Sequence, residues 1–137
     1  MILGIKTAGE AGELVLFDAK RELVVGHRKL TLDSTLSEKI LPLLDKLLTS
    51  YKLLPTDLQA IVIYSGPGSF TSLRVGHSVA NTLAMALDIP LAGLKESEIR
   101  GSFAESVFET SKKARKNVTL VPFYGKKPHI TKPKKRA

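Results

Sequence analysis

The first third of the chain contains short runs of apolar residues that polar and turn-forming residues separate. Three of these runs, at residues 2–6, 13–18 and 22–28, have the length and the β-branched or large apolar content of strands. The gaps between them are short, and glycines or an Asp-Ala-Lys-Arg turn fill them. Such gaps favour an antiparallel β-meander at the start of the fold.

The rest of the chain alternates between helical and strand-like patterns. Helices are predicted at about residues 35–50, 72–87 and 97–108, and strands at 60–64 and 90–94. An order in which strands and helices alternate implies parallel strands with right-handed crossovers. The sequence therefore predicts an α/β fold, in which a five-stranded mixed sheet begins with a β-meander, continues with βαβ units and is flanked by helices.

The first two predicted helices carry more apolar surface than one sheet can cover. Apolar residues of the first helix span an arc of roughly 160°, whereas packing on a sheet uses about 100°. The second helix has Arg74 as its one charged residue and a ridge of small residues. Either the two helices cover each other, or they offer a hydrophobic patch to a second protein, and the patch size favours the second alternative. The predicted interface residues are Ile40, Leu44, Leu48, Leu73, Gly76, Ala80, Leu83 and Ala84.

A glycine-rich loop, residues 66–71, joins the fourth predicted strand to the second long helix. A strand that turns through glycines into a helix N-terminus directs backbone N–H groups and a positive dipole at one point, which suits an anion. The same loop also suits a tightly packed corner, and its hydroxyl groups suit helix capping, which is the favoured role. The candidate anion-binding residues are Gly66, Pro67, Gly68, Ser69, Phe70, Thr71 and Arg74.

Composition excludes several kinds of chemistry. The chain has no cysteine, which excludes disulfides and thiolate catalysis, and its three histidines lack metal-ligand spacing. Its start does not have the pattern of a signal peptide, and its apolar runs are too short to cross a membrane. A cytoplasmic protein without a bound metal or a membrane partner is therefore expected.

The net charge of +8 is concentrated near the C-terminus. Residues 1–111 hold all 13 acidic residues and 11 of the 21 lysines and arginines, a net charge of −2, so residues 112–137 carry +10. The sequence predicts a folded lobe at 1–111 and a partly disordered basic extension at 112–137. That extension is either a solvated end or an arm that contacts RNA phosphates. The candidate RNA contacts are Lys126, Lys127, Lys132, Lys134, Lys135 and Arg136.

Residues 64–76, Tyr-Ser-Gly-Pro-Gly-Ser-Phe-Thr-Ser-Leu-Arg-Val-Gly, closely resemble the signature of the bacterial TsaB family. The likeness covers about residues 1–100, and a signature of this length is more specific than a lone glycine motif. It implies one lobe of an actin-like, ribonuclease-H-like fold. It also implies a non-catalytic dimerisation subunit that pairs with TsaD, through the two over-apolar helices, in tRNA threonylcarbamoyladenosine synthesis. The resemblance further implies a TsaE-like ATPase in the assembly, so that ATP and Mg²⁺ belong to the complex rather than to this chain.

Three features depart from the family pattern. Lys6 stands where family members carry an aspartate after the first strand, and a lysine cannot coordinate Mg²⁺. Ser72 replaces a common glycine. Residues 121–124 resemble the family's final Pro-x-Tyr segment, as though a second lobe had been removed before them. The lysine and the missing lobe argue against ATP hydrolysis by this chain.

The hypothesis is an accessory subunit that supports TsaD in modifying the adenosine beside the tRNA anticodon. Two alternatives stay open, a small actin-like nucleotide-binding enzyme and a basic-tailed RNA-binding protein. Self-pairing of the isolated chain, recruitment of a TsaE-like ATPase and tRNA contact through the extension are also left open. On this hypothesis, Ala80→Arg or Ala84→Glu leaves the fold largely intact but prevents complex formation.

Overall fold

A five-stranded mixed sheet forms the centre of the molecule, whose computed structural model describes residues 1–124. The strands are β1 (Ile2–Lys6), β2 (Gly12–Asp18), β3 (Leu23–Leu30), β4 (Ala60–Gly66) and β5 (Leu91–Lys95). They lie in the order β3-β2-β1-β4-β5. The β1–β2 and β2–β3 pairs are antiparallel, and the β1–β4 and β4–β5 pairs are parallel. The predicted mixed sheet, with its meander first, is confirmed.

Three helices cover the two faces of the sheet: α1 (Leu36–Ser50), α2 (Phe70–Leu87) and α3 (Phe103–Ser111). The last helix begins later than the sequence predicts. Gly101 has a φ of 77°, which interrupts helical geometry, and Ser102 then caps α3 by accepting a hydrogen bond from the Glu105 N–H at 3.1 Å. A short 3-10 turn at Glu96–Glu98 occupies the start of the predicted helix.

Side chains of the central strands alternate between two hydrophobic cores. On β1, Leu3 and Ile5 belong to the core under α1 and α2, whereas Ile2 belongs to the core under α3. Both faces of β1 and β4 are therefore buried, which explains why their sequences are nearly continuous apolar runs. This arrangement places α1 and α2 side by side on one face, with their outer surfaces turned away from the sheet.

After α3 the chain returns along β5 and α2 to the loop that follows β4. We call residues 112–124 the return segment. Its Arg115 exchanges two backbone hydrogen bonds with Leu91, at 2.9 and 3.1 Å. The Asn81 side chain of α2 both donates to and accepts from the backbone of Leu120, at 2.9 Å each. Further on, the Phe123 N–H donates to the Ser65 carbonyl at 2.8 Å.

These contacts extend the folded body beyond the predicted boundary at residue 111, at least to Tyr124. The residues that make these contacts are far apart along the chain, so local sequence patterns do not give their pairing. The six candidate RNA contacts lie outside the described residues: Lys126, Lys127, Lys132, Lys134, Lys135 and Arg136. Among the helices of residues 1–124, none combines the length and the hydrophobicity that crossing a membrane requires.

Candidate functional site

A mainly apolar groove lies between α1 and α2 on the side away from the sheet, with a volume of about 640 Å³. We call it the α1–α2 groove. It is lined by Ser37, Leu41, Phe70, Thr71, Arg74, Val75, Ser78, Val79, Thr82 and Leu83. Two large apolar side chains on its walls are poorly covered, since Leu41 is 50% exposed and Phe70 is 57% exposed. Apolar surface of this kind, gathered in one concave place, is typical of a binding site for another molecule.

The groove exists because α2 is apolar on two adjacent stripes. One stripe, which includes Leu73, Ala80 and Ala84, is buried against the sheet. The second stripe, Val75, Val79 and Leu83, lies beside the first at helical spacing and is only half-buried. The helix therefore packs the buried stripe against the sheet, and the half-buried stripe faces α1 and the solvent. We call these the inner stripe and the outer stripe of α2.

The predicted interface residues occupy mostly the inner stripe. Ile40, Leu44, Leu48, Leu73, Gly76, Ala80 and Ala84 are all buried within the chain's own body, and Leu83 alone lines the groove. Small residues are placed where α2 lies closest to the sheet, and a Cβ on Gly76 would overlap Thr7 Oγ1. The surface left for a partner therefore consists of neighbours that the sequence prediction missed, chiefly Leu41, Val75 and Val79.

The burial of Ala80 and Ala84 also corrects the expectation that Ala80→Arg or Ala84→Glu leaves the fold intact. Ala80 has no exposed surface and belongs to the core under α1 and α2. An arginine there would place a charge inside the protein, so the fold would not stay intact. The i, i+4 spacing of Val75, Val79 and Leu83 was the signal that could have identified the outer stripe.

The glycine-rich loop forms a closely packed corner. Gly66 has a φ of 133°, and a Cβ there would overlap the carbonyl oxygen of Phe123 in the return segment. A Cβ on Gly68 would lie 2.7 Å from the Cβ of Ala8. The peptide bond between Gly66 and Pro67 is cis. Ser69 caps α2, because its hydroxyl oxygen accepts a hydrogen bond from the Ser72 N–H at 3.4 Å. The packing and the cap account for the glycines and for Ser69 without a ligand.

The predicted anion-binding residues are only partly brought together. The Arg74 guanidinium lies over the Phe70 ring, 5.1 Å from its centre, at one end of the α1–α2 groove. Phe70 in turn stacks on Tyr124 at 5.2 Å. Thr71 lines the groove, and the Pro67 carbonyl accepts a hydrogen bond from the Tyr64 hydroxyl at 2.9 Å. Anion binding at the loop stays a prediction, and Arg74 is its exposed charged member.

The carboxyl ends of β1 and β4 carry a lysine and a tyrosine. The Lys6 ammonium lies over the Tyr64 ring, 5.1 Å from its centre, and the Tyr64 hydroxyl is 3.0 Å from the Glu96 carboxylate. Burial raises the pKa of Tyr64 above its ordinary value, and the contact with Glu96 adds to that shift. Within residues 1–124, the His, Asp and Glu side chains form no group of three that could hold a metal ion.

His77 is a titratable residue of α2 that is buried in the protein, with 3% of its surface exposed. Its Nδ1 donates to the Leu73 carbonyl at 2.8 Å, and its Nε2 has no hydrogen-bond partner among the described residues. Burial lowers the pKa of His77 below the ordinary value of 6.5, and the bond to Leu73 opposes this in part. The neutral ring is therefore the form that the folded chain accommodates.

We expect the free energy of unfolding to decrease as the pH falls below about 6.5, because the unfolded chain protonates His77 more readily than the folded chain does. The contribution of one group is at most about 1.4 kcal/mol per pH unit. Urea denaturation between about pH 8 and about pH 5 measures it, and His77→Gln should have a shallower pH dependence. Equal slopes for the wild-type and variant chains would contradict a buried, neutral His77.

Comparison with known proteins identifies sequence relatives. Residues 32–114 match the family model described as TsaD, tRNA N6-adenosine threonylcarbamoyltransferase. The chain is similar to the tRNA threonylcarbamoyladenosine biosynthesis protein TsaB of Bacillus subtilis strain 168, with 33% identity over 97 residues, which are 71% of this chain and 42% of the relative. The TsaB protein of Escherichia coli K12 is 34% identical over 93 residues, 68% of this chain and 39% of that relative. The chain thus spans about two fifths of the length of these relatives.

Comparison with solved structures agrees with the sequence match. A structure described as YeaZ from Pseudomonas aeruginosa superimposes with a TM-score of 0.61 at 26% sequence identity. The superposition covers 69% of this chain and 43% of the other. It confirms the predicted fold class, a single lobe of the actin-like, ribonuclease-H-like type.

Proposed function

Because this chain belongs to the TsaB family, we propose that it is a non-catalytic accessory subunit of tRNA threonylcarbamoyladenosine biosynthesis, which binds a TsaD-like protein through the α1–α2 groove. The observation that carries the proposal is the groove itself, an apolar surface that the described part of the chain leaves exposed between α1 and α2. Covering the exposed halves of Leu41 and Phe70 contributes about 1 kcal/mol each. The half-buried Val75, Val79 and Leu83 extend the same surface.

The chemistry at the end of β1 supports an accessory rather than a catalytic role. Lys6 occupies the position at which the family pattern has an aspartate, and its ammonium group lies on the Tyr64 ring. A positive charge at that point repels a divalent cation and the chain loses a carboxylate ligand. We therefore assign catalysis in the complex to the TsaD-like protein.

The remaining partners follow from the same proposal. A TsaE-like ATPase and tRNA belong to the same assembly as this chain and the TsaD-like protein. The assembly acts in the cytoplasm, where tRNA is modified.

A nucleotide-binding enzyme is the second candidate, because the family model that matches residues 32–114 is described as a transferase. Calorimetric titration of the chain with ATP and Mg²⁺ separates the two candidates. An accessory subunit should give no binding heat at submillimolar nucleotide, whereas saturable binding in that range would favour the enzyme.

Leu41→Arg is expected to weaken binding to the TsaD-like protein by about 30-fold or more, since disrupting an interface hot spot costs about 2 kcal/mol or more. The arginine places a charge in the apolar groove at a position that is half exposed, so the fold should persist. Calorimetry or quantitative co-purification measures the affinity, and circular dichroism checks the fold.

The matched control is Leu54→Arg. Leu54 is 65% exposed, and it does not line the α1–α2 groove. The same substitution there should leave the affinity unchanged. The proposed docking site would be refuted if Leu41→Arg bound like the wild type, or if both variants lost affinity equally.

A further inference from the structure

We propose that Arg74 selects the partner by binding a carboxylate group on the docked protein, at the end of the α1–α2 groove. This inference rests on the proposed docking function and goes further, because it states the chemistry that the partner must present. The occupant is a protein whose apolar docking face carries an aspartate or glutamate opposite Arg74.

The Arg74 charge is isolated in the groove. Among the described residues that line it, Arg74 is the only charged one. None of the ion pairs formed within residues 1–124 involves it. Covering the groove with an apolar partner would remove water from this guanidinium, and burying an unpaired charge is costly. A docked protein therefore has to supply an anion at that point.

Stacking on an aromatic ring orients the Arg74 guanidinium. It lies over the Phe70 ring at 5.1 Å, and Phe70 is stacked on Tyr124 at 5.2 Å with 25° between the ring planes. Tyr124 belongs to the return segment, which backbone hydrogen bonds hold against the body. A stacked arginine loses less conformational freedom on binding, and its planar group suits two-point contact with a carboxylate.

The charges in the groove also distinguish between possible partners. Within residues 1–124, no acidic residue lines the groove. Groove-to-groove docking of a second copy would bury two Arg74 guanidinium groups, and neither of the described linings offers a carboxylate to pair with them. Asp45 lies one turn after Leu41 on α1, outside the lining. The charge distribution thus favours an acid-bearing partner over self-pairing.

The test compares two substitutions at Arg74 in the full 137-residue chain. Arg74→Glu should lower the affinity for the TsaD-like protein by about tenfold or more, and Arg74→Lys, which keeps the charge but loses the two-point contact, should fall between Arg74→Glu and the wild type. The dependence of affinity on salt concentration should be weaker in Arg74→Glu, because an attractive charge contact is lost. Arg100→Glu is the control: Arg100 is exposed and lies just before α3, on the opposite face of the sheet.

The outcomes separate this inference from the docking function. If Leu41→Arg abolishes binding while Arg74→Glu changes neither the affinity nor its salt dependence, the carboxylate contact is refuted and docking stands. If neither variant changes the affinity, docking itself is refuted. If Arg74→Glu weakens only self-association, or only the binding of tRNA to the isolated chain, Arg74 serves a second copy or a phosphate, and the inference is overturned.

Discussion

Ala80→Arg is expected to unfold the chain. Ala80 has no exposed surface and lies where α2 packs on the sheet, in the same core as Ile61 and Ile63. The site has no room for the longer side chain, and the guanidinium would be buried without a carboxylate beside it. An uncompensated buried charge costs about 3 to 5 kcal/mol, against a total stability of about 5 to 15 kcal/mol for a domain. A thermal melt followed by circular dichroism should show little or no cooperative transition.

Ser78→Arg is the control for this prediction. Ser78 lies two residues earlier on α2 and is exposed in the α1–α2 groove. The same new side chain there should leave the melting temperature nearly unchanged while it weakens binding of the TsaD-like protein. A stable, cooperative Ala80→Arg protein would mean that α2 presents Ala80 to the solvent, and the assignment of its inner stripe would then be wrong.

Gly76→Ala is expected to lower the stability by about 1 to 3 kcal/mol, because the new methyl group would overpack a closed interface. Its Cβ would overlap Thr7 Oγ1 and lie 3.0 Å from Thr7 Cγ2. The sign of the change in stability distinguishes this close contact from an ordinary helix position, because glycine to alanine inside a helix ordinarily stabilises by about 1 kcal/mol. Urea denaturation measures the change. A gain in stability would show that α2 does not approach Thr7 so closely.

A double variant makes this test sharper. Thr7 Oγ1 is buried and has no hydrogen-bond partner among the described residues, so Thr7→Ala should cost little in hydrogen bonding. In Gly76→Ala/Thr7→Ala, the space left by the hydroxyl and methyl groups accepts the new Cβ, and most of the lost stability should return. The two changes should therefore be strongly non-additive, as expected for residues in contact. Ala86→Gly, at an exposed α2 position, calibrates the ordinary helix effect.

The order of the elements could be predicted from the chain because the signals for it are local. Strands β1 and β4 are nearly continuous apolar runs, and the short gaps between the first three strands favour a meander. The signature at residues 64–76 is equally local, which is why the family could be recognised from it. The late start of α3 was missed, since its interruption depends on the positive φ of Gly101.

Local signals could not define the docking surface or the end of the folded body. α2 is apolar on two neighbouring stripes, and helical periodicity reports both of them without indicating which one meets the sheet. Close packing determines which stripe meets the sheet. Gly76 packs against Thr7, Ala80 is buried on the same side of α2, and Val79 faces outward into the groove. The return segment depends in the same way on a distant contact, between Asn81 and Leu120. The amino-acid pattern thus determined the elements and their order. Packing between residues far apart in the chain determined which apolar surface stays open to a partner, because the burial of a side chain depends on its neighbours in space.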